Sequence, residues 1–202
     1  MGLRERKKAE TRSALSWAAI RLTVERGFDN VRVQDIADAA GVSPRTFNNY
    51  FSGKGEAIAS RHLNRLQRAA DGLLARPEGE PLWESITHVA LSQFEPGPEL
   101  VAHPVADRGA WAAGLRTMLA EPALQGELLR AGVRAEAEFA AAVARRTGTD
   151  LEKDLYPHLV AAAVTAANNV AQAHFLRSGG TVSMEALLTE ALGRIAAGLP
   201  AP

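Results

Sequence analysis

Apolar residues recur every three or four positions along most of the chain, which is the spacing of one helix face. Alanine is abundant and runs of β-branched residues are scarce, so the expected fold class is all-α. Three prolines in EPGPELVAHPVA, residues 95–106, predict a loop or a short broken helix. The predicted helices are 11–26, 33–40, a short one from Pro44, 56–75, 81–94, 107–120, 122–146, 151–177 and 184–197.

The stretch VQDIADAAGVSPRTFNNYF, residues 33–51, predicts two short helices joined by a tight turn. Apolar residues at helical spacing make 33–40 the first helix, and Gly41 ends it because glycine adopts a left-handed conformation at little cost. Ser43 is a good N-cap, and Pro44 suits the first position of the second helix. This pattern indicates a helix-turn-helix unit, whose second helix can enter the major groove of DNA.

The second helix offers only a few side chains to base edges. Arg45 suits guanine, Asn49 suits adenine, and the methyl group of Thr46 suits thymine. Tyr50 and Lys54 are expected to hold phosphates, which sets the register without reading the sequence. We expect two phenylalanines of this stretch to face inward, Phe47 and Phe51.

The longer motif GFDNVRVQDIADAAGVSPRTFNNYFSGKGEAI resembles the N-terminal domain of TetR-family transcriptional regulators, over roughly residues 10–60. The resemblance implies a three-helix DNA-binding domain at 1–55 and a helical effector-binding and dimerisation domain at 56–202. It also implies a homodimeric repressor that a ligand releases from a palindromic operator. The segments EFAAAVARRTGTD and LYPHLVAAAV further resemble the mycofactocin-type regulators of this family.

The chain departs from the common family pattern at three positions. Arg32 stands where Thr or Ser often caps the helix, and it offers a phosphate or groove contact instead. Asn48 stands where many members have a phosphate-contacting Tyr, and Gly55 predicts that the next helix starts one residue later, at 56. The predicted DNA-binding residues are therefore Arg32, Ser43, Arg45, Thr46, Asn48, Asn49, Tyr50 and Lys54.

Formal charge is divided unevenly along a chain whose net charge is zero. Residues 1–70 hold 13 Lys and Arg against 7 Asp and Glu, whereas residues 71–202 hold 10 against 16. Only the front of the chain is therefore expected to meet a polyanion. Residues 2–12 form a basic arm that lies along phosphates, reaches into a minor groove, or is a solvated, frayed terminus. Its basic residues are Arg4, Arg6, Lys7, Lys8 and Arg12.

The longest predicted helix, 151–177, carries apolar rows on two sides, which predicts burial on two sides. One row would face the core of its own domain and the other a partner subunit, so that the last two helices of two chains form a four-helix dimer interface. A monomer with an unusually buried helix is the alternative. The rows are Leu155, Leu159, Ala162, Ala166, Val170 and Ala173 on one side, and Val160, Val164, Ala167, Ala171 and Phe175 on the other.

A polar stripe crosses the same helix at Thr165, Asn168, Asn169 and Gln172. Because buried amides need hydrogen-bond partners, the stripe either orients an effector or bonds across the dimer interface. A mostly apolar pocket would take a hydrophobic or amphipathic molecule, and the subgroup resemblance favours an acyl-CoA or another lipid-like ligand. The predicted ligand-binding residues are Trp83, Phe94, Trp111, Met118, Phe139, Asn168 and Asn169.

Other classes of function find little support in the sequence. There is no cysteine, and the five histidines lack metal-ligand spacing, so no metal or cofactor is predicted. The motifs GxSxG and HExxH and a phosphate loop are missing, so the chain is predicted not to be an enzyme. Polar residues interrupt the most apolar segment, 159–175, so no membrane span is predicted and a cytoplasmic protein is expected. A helical ligand-binding protein or enzyme with a vestigial helix-turn-helix is the alternative.

Overall fold

The computed structural model describes residues 2–94 and 107–201, and over these residues its regular structure is entirely helical. The all-α prediction is thus confirmed, while the predicted proline-rich loop at 95–106 lies outside the described residues. The helices are α1 Leu3–Arg26, α2 Val33–Ala39, α3 Pro44–Asn48, α4 Lys54–Ala75, α5 Leu82–Ser92, α6 Arg108–Leu119, α7 Pro122–Thr147, α8 Tyr156–Arg177 and α9 Met184–Ala196.

Packing groups these helices into two compact units. The first unit holds α1 to α3, the start of α4 up to residue 62, α6, and α7 up to residue 131. The second holds the rest of α4 and α7 together with α5, α8 and α9. These units are defined by packing alone, so the functional boundary predicted between residues 55 and 56 stays a prediction.

The core of the first unit is built from the apolar faces that helical spacing predicted for α1 to α3. Leu15 of α1, Ile36 of α2 and Phe47 of α3 are all completely buried there. The aromatic ring of Trp111 on α6 packs against Trp17 of α1, with 5.6 Å between the ring centroids. Helix α6 therefore contributes to the core on which the helix-turn-helix packs.

The core of the second unit lies between the remaining helices. Leu73 of α4, Ile86 of α5, Val143 of α7 and Leu192 of α9 are fully buried in it. Helix α8 adds its Val160, Val164, Ala167 and Ala171 row to the same core. This unit therefore buries one of the two apolar rows that the sequence places on α8.

The start of α1 differs from its prediction, because the helix begins at Leu3 and not near residue 11. Residues 2–10 are all exposed, so this segment has no apolar face, and a search for apolar periodicity misses it. Its Arg, Lys, Glu and Ala residues favour helix by propensity. An ion pair four residues apart, from Arg6 to Glu10 at 3.7 Å, adds a little to that preference.

Helix α4 begins at Lys54, so the later start predicted at 56 is wrong. Gly55 lies in the first turn of this helix, where a Cβ would come 3.3 Å from Cγ of Glu127. Glu56 supports this helix start by accepting hydrogen bonds from both the backbone N–H of Ser52 at 2.7 Å and its hydroxyl at 2.8 Å.

Helix α8 begins at Tyr156, so the start predicted at 151 is wrong, and α7 with 26 residues is longer than α8 with 22. Side chains hold the preceding residues in turns. Asp150 accepts the N–H of Glu152 at 2.9 Å and donates its own N–H to Asp154 at 2.7 Å. Such local bonds compete with helix formation, so the helix starts only after them, with Pro157 in its first turn.

Candidate nucleic-acid interface

The turn between α2 and α3 has the geometry that its sequence predicts. Gly41 has a φ of +68°, a left-handed conformation that favours glycine. The N–H of Val42 reaches back to the carbonyl oxygen of Ala37 at 3.0 Å, which satisfies one of the last carbonyls of α2. The chain therefore reverses within a few residues and begins α3 at Pro44.

Ser43 caps the N-terminus of α3. Its Oγ accepts the backbone N–H of Thr46 at 3.1 Å, and Pro44 occupies the first turn. The hydroxyl groups of Ser43 and Thr46 also lie 2.9 Å apart and share a hydrogen bond. The Thr46 hydroxyl is thus engaged within the protein, and its methyl group is the part left for a base contact.

Two phenylalanines fix the rotation of α3 about its axis. Phe47 is completely buried, Phe51 is 2% exposed, and their ring centroids lie 5.7 Å apart. Because these rings point into the core of the first unit, the opposite side of α3 faces outward. The exposed residues on that side are Ser43, Arg45, Asn48 and Asn49, and the half-buried ones are Thr46 and Tyr50.

Helix α3 is short, as predicted, and spans five residues. Asn49 is its C-cap, and its N–H still bonds back to the carbonyl of Arg45 at 3.2 Å. Tyr50 follows in the turn that leads toward α4, with its N–H donated to Phe47 at 2.9 Å. The three residues predicted to read bases therefore lie on a single helical turn and its cap.

Arg12 of α1 contacts the turn that follows α3. Residue spacing in the sequence does not reveal this contact. Its guanidinium donates to the backbone carbonyl of Tyr50 at 3.2 Å and lies over the ring of Phe51, 4.5 Å from the ring centroid. These contacts hold the turn after α3 against α1. The sequence predicts Arg12 only as one member of a basic arm.

Lys54 lies at the start of α4, and the structure gives it internal partners. Its Nζ donates to the carbonyl of Phe28 and, at 3.0 Å, to that of Val31, and it lies 4.0 Å from the centroid of the Phe28 ring. An ammonium has three donor hydrogens, so one remains. Only this third hydrogen of the Lys54 ammonium is available for the predicted phosphate contact.

Arg32 precedes α2 as its N-cap residue, with an exposed side chain. Arg32 cannot supply the cap that a Thr or Ser would, because a guanidinium has no acceptor atom. The carboxylate of Asp35 accepts the backbone N–H of Arg32 at 2.7 Å, which is the other half of a capping box. The Arg32 guanidinium takes no part in capping. It remains a candidate for contact with a phosphate.

The residues predicted to line an effector pocket pack into two different cores. Trp111 and Met118 belong to the core of the first unit, whereas Phe139, Trp83 and Phe94 belong to or pack on the core of the second. Phe139 and Met118 are buried, 3% and 4% exposed respectively. Neither unit contains the full predicted lining, so a pocket formed by all five residues stays a prediction.

The second unit has an open groove of about 410 Å³ between α5 and the end of α9. Of the predicted ligand-binding residues, Trp83 alone lines it within the described part of the chain. The groove is mostly apolar, and its lining residues are Trp83, Glu84, Thr87, His88, Leu91 and Ala196.

The two faces of α8 are in different environments. The row on one face is buried in the core of the second unit, as described above. The row on the other face is uncovered: Leu159 is 63% exposed and Val170 is 57% exposed. Asn169 is exposed next to Val170, whereas Asn168 is half-buried. The polar stripe thus runs along the border between the buried and the exposed side of α8.

Metal-binding clusters and membrane-spanning helices are both absent from residues 2–94 and 107–201. No group of three or more His, Cys, Asp or Glu side chains is placed to hold a metal ion over these ranges. No helix in the same residues is long and apolar enough to cross a membrane.

Comparison with known proteins matches both parts of the chain. A model of bacterial regulatory proteins of the tetR family matches residues 17–59, and a model of the MftR C-terminal domain matches residues 80–200. The chain is 31% identical to the HTH-type transcriptional regulator TcmR of Streptomyces glaucescens over 173 residues, covering 84% of this chain and 74% of TcmR.

A second relative is a protein of Mycobacterium tuberculosis named as the mycofactocin biosynthesis transcriptional regulator MftR. It is 31% identical over 192 residues, which cover 93% of this chain and 88% of that protein. A solved structure from Rhodococcus sp., described as a TetR-family transcriptional regulator, superposes with a TM-score of 0.57 at 25% identity, covering 95% of this chain and 100% of the other.

Proposed function

Because this chain belongs to the TetR family of bacterial transcriptional regulators, we propose that it is a homodimeric repressor that reads a palindromic operator and is released by a small amphipathic effector. In this proposal residues 1–55 bind DNA, and residues 56–202 bind the effector and form the dimer. The observation that carries the proposal is the orientation of α3, whose Phe47 is buried and whose polar side faces outward.

Three side chains are proposed to read bases from the major groove. The guanidinium of Arg45 matches the two acceptors of guanine, and the amide of Asn49 matches the donor and acceptor of adenine. The methyl group of Thr46 contacts a thymine methyl, because its hydroxyl is engaged with Ser43. Phosphate contacts set the register of α3 on the duplex; they are assigned to Arg32, Ser43, Asn48, Tyr50 and the remaining hydrogen of Lys54.

The homodimer is proposed to form through the exposed face of α8 together with α9. A row of exposed apolar side chains on a helix that is already buried on its other face is typical of a surface that a second copy covers. A two-fold axis would present two recognition helices to major grooves about 34–36 Å apart. The second copy is thus required for reading a palindrome.

Release by an effector follows from linkage. The effector would bind more tightly to a dimer whose two α3 helices are spaced differently than to the dimer that fits the operator. The difference between these two binding free energies is the amount by which the effector weakens operator binding. We propose a hydrophobic or amphipathic effector, with acyl-CoA or a related lipid-like molecule as the first class to test. Asn168 and Asn169 of α8 are proposed to orient its polar part.

The base-reading assignment is tested by fluorescence anisotropy with two duplexes of equal length, one from upstream of the protein's own gene and one scrambled. We expect Asn49→Ala to weaken binding to the upstream duplex by about 1–3 kcal/mol for each half-site, because each copy of Asn49 would bond one adenine. Binding to the scrambled duplex should stay unchanged. The matched variant Arg32→Gln should weaken binding to both duplexes alike, since a phosphate contact carries no sequence information.

Two results would contradict the proposal. One is an unchanged ratio of the two affinities in Asn49→Ala, Thr46→Ala and Arg45→Gln alike. The other is a wild-type dimer that binds both duplexes equally, which would favour a helical ligand-binding protein or enzyme with a vestigial helix-turn-helix.

A further inference from the structure

The first turns of α1 carry a directional row of positive charge. Arg4, Lys8 and Arg12 follow one another at intervals of four residues, so they lie above one another on one side of the helix. Arg4 and Lys8 are exposed, and within the described part of the chain no hydrogen bond or ion pair is found for either side chain. The row therefore presents two exposed cations without an ion pair, and Glu5, three residues before Lys8, is the acidic residue that neighbours the row.

Arg12, the last residue of this row, contacts the turn that follows α3. Arg12 donates to the carbonyl of Tyr50 at 3.2 Å and lies over the ring of Phe51. Both partners lie within three residues of the end of the recognition helix α3. Helix α1 is continuous from Leu3, so Arg4 and Lys8 stay in line with Arg12 along the helix. At ~1.5 Å per residue, the backbone of Arg4 is about 12 Å from that of Arg12.

The other side of the same helical segment is different. There Arg6 is paired with Glu10 at 3.7 Å, so part of its charge is compensated. The remaining cation of the segment, Lys7, is exposed and lies three residues from Arg4, so it neighbours the row at its first residue. Positive charge without an ion pair thus lies on and next to the row that ends at Arg12.

We propose that Arg4 and Lys8 bind phosphates of the DNA backbone beside the half-site that α3 reads, as a helical extension of the reading surface. This inference rests on the proposed function. A helix has a diameter of about 10–12 Å with its side chains, whereas the minor groove is about 6 Å wide. The helical form of this segment therefore favours contact with the backbone over insertion into the minor groove.

The test measures how DNA affinity depends on salt, using the upstream and scrambled duplexes described above. Removing one phosphate contact lowers the magnitude of the slope of log affinity against log salt by about 0.9. The double variant Arg4→Gln/Lys8→Gln is expected to lower it by about 1.8 for each bound subunit, on both duplexes. The ratio of the two affinities should stay the same, because phosphate contacts do not read sequence.

The matched control is Arg6→Gln/Arg26→Gln, which removes the same charge from exposed positions of the same helix outside the row. The control is expected to change the slope by less than half as much. An unchanged slope in Arg4→Gln/Lys8→Gln, or an equal change in the control, would overturn the inference. The proposed function would fail by a different result, namely equal affinity of the wild-type protein for the two duplexes. The salt dependence of affinity could still be measured on the scrambled duplex in that case.

Discussion

Gly114 of α6 and Val24 of α1 lie so close that no side chain fits between their backbones. A Cβ placed on Gly114 would be 2.6 Å from Cγ1 of Val24 and 2.7 Å from its carbonyl oxygen. Contacts of this length do not occur between unstrained atoms, and the carbonyl belongs to a rigid helix. The first unit therefore depends on glycine at this crossing of α1 and α6.

Replacing Gly114 with alanine should destabilise the protein. We expect a loss of about 1–3 kcal/mol in the free energy of unfolding, because the helices must separate to admit a methyl group. The measurement is urea denaturation followed by circular dichroism. Gly132→Ala is the matched control: nothing lies within 4 Å of a Cβ there, so that variant should gain up to about 1 kcal/mol from helix propensity. Equal effects would show that the crossing does not require glycine.

Arg146, near the end of α7, closes the connection between α4 and α5. Its guanidinium donates to the carbonyls of Leu73 and Arg76 at 3.3 and 3.1 Å, and to the hydroxyl of Ser85 at 2.8 Å. It also binds the carbonyls of two turn residues, Pro77 at 2.8 Å and Glu80 at 3.0 Å. One side chain thus satisfies carbonyls that the end of α4 and the following turn leave open.

Arg146→Ala should lower the free energy of unfolding by about 3 kcal/mol, since several acceptors lose a charged donor at once. The neighbouring Arg145 is exposed, and Arg145→Ala should change the same quantity by less than about 0.5 kcal/mol. Chemical denaturation of both variants checks this. A similar stability for the two would show that the Arg146 hydrogen bonds contribute little.

Glu80 makes stability depend on pH in the acid range. Hydrogen bonds from Arg76 and then Ser85 lower the pKa of Glu80 from 4.5 to about 2. A carboxyl whose pKa is lower in the folded state stabilises the protein above the unfolded pKa, and this contribution is lost as pH falls from about 4.5 toward 2. Glu80→Gln should therefore flatten the fall of the unfolding free energy over that interval. Parallel curves for variant and wild type would contradict this assignment.

Leu159 tests the proposed dimer face, because it is 63% exposed on α8. Leu159→Glu should convert the dimer to a monomer, since dimerisation would bury an unpaired carboxylate. Light scattering would then show a fall from twice the chain mass of 21.5 kDa to that mass itself. Leu129→Glu is the matched control on α7, where the leucine is 70% exposed, and it should remain dimeric. Loss of the dimer in both variants, or in neither, would contradict the proposed face.

The sequence was sufficient for the parts of this fold that local rules determine. The left-handed Gly41, the cap at Ser43 and the inward direction of Phe47 follow from residue types and spacing alone. The start of α1 at Leu3 did not follow, because the exposed residues 2–10 have no apolar period. The role of Arg146 did not follow either, because its acceptors lie 61–73 residues away in the chain.

In the candidate site too, the sequence predicted the features that depend on local spacing and missed those that depend on contacts between distant segments. Helical spacing predicted which side of α3 faces outward, since that depends only on which residues are buried. The internal partners of Lys54 depend on how the segment around Phe28 returns to the start of α4, which spacing does not reveal. The separation of Trp111 from Trp83 into two cores likewise depends on packing between distant segments.

Selection from a pool of random duplexes asks whether the protein reads a palindrome as a dimer, and it requires no knowledge of the operator. The wild-type protein is incubated with the pool at moderate salt, and bound DNA is amplified and sequenced over several rounds. We expect an enriched inverted repeat that binds two chains and binds them at least about 10³-fold more tightly than the starting pool. A pool that stays random after repeated rounds, with affinity unchanged, would refute sequence-specific reading by α3.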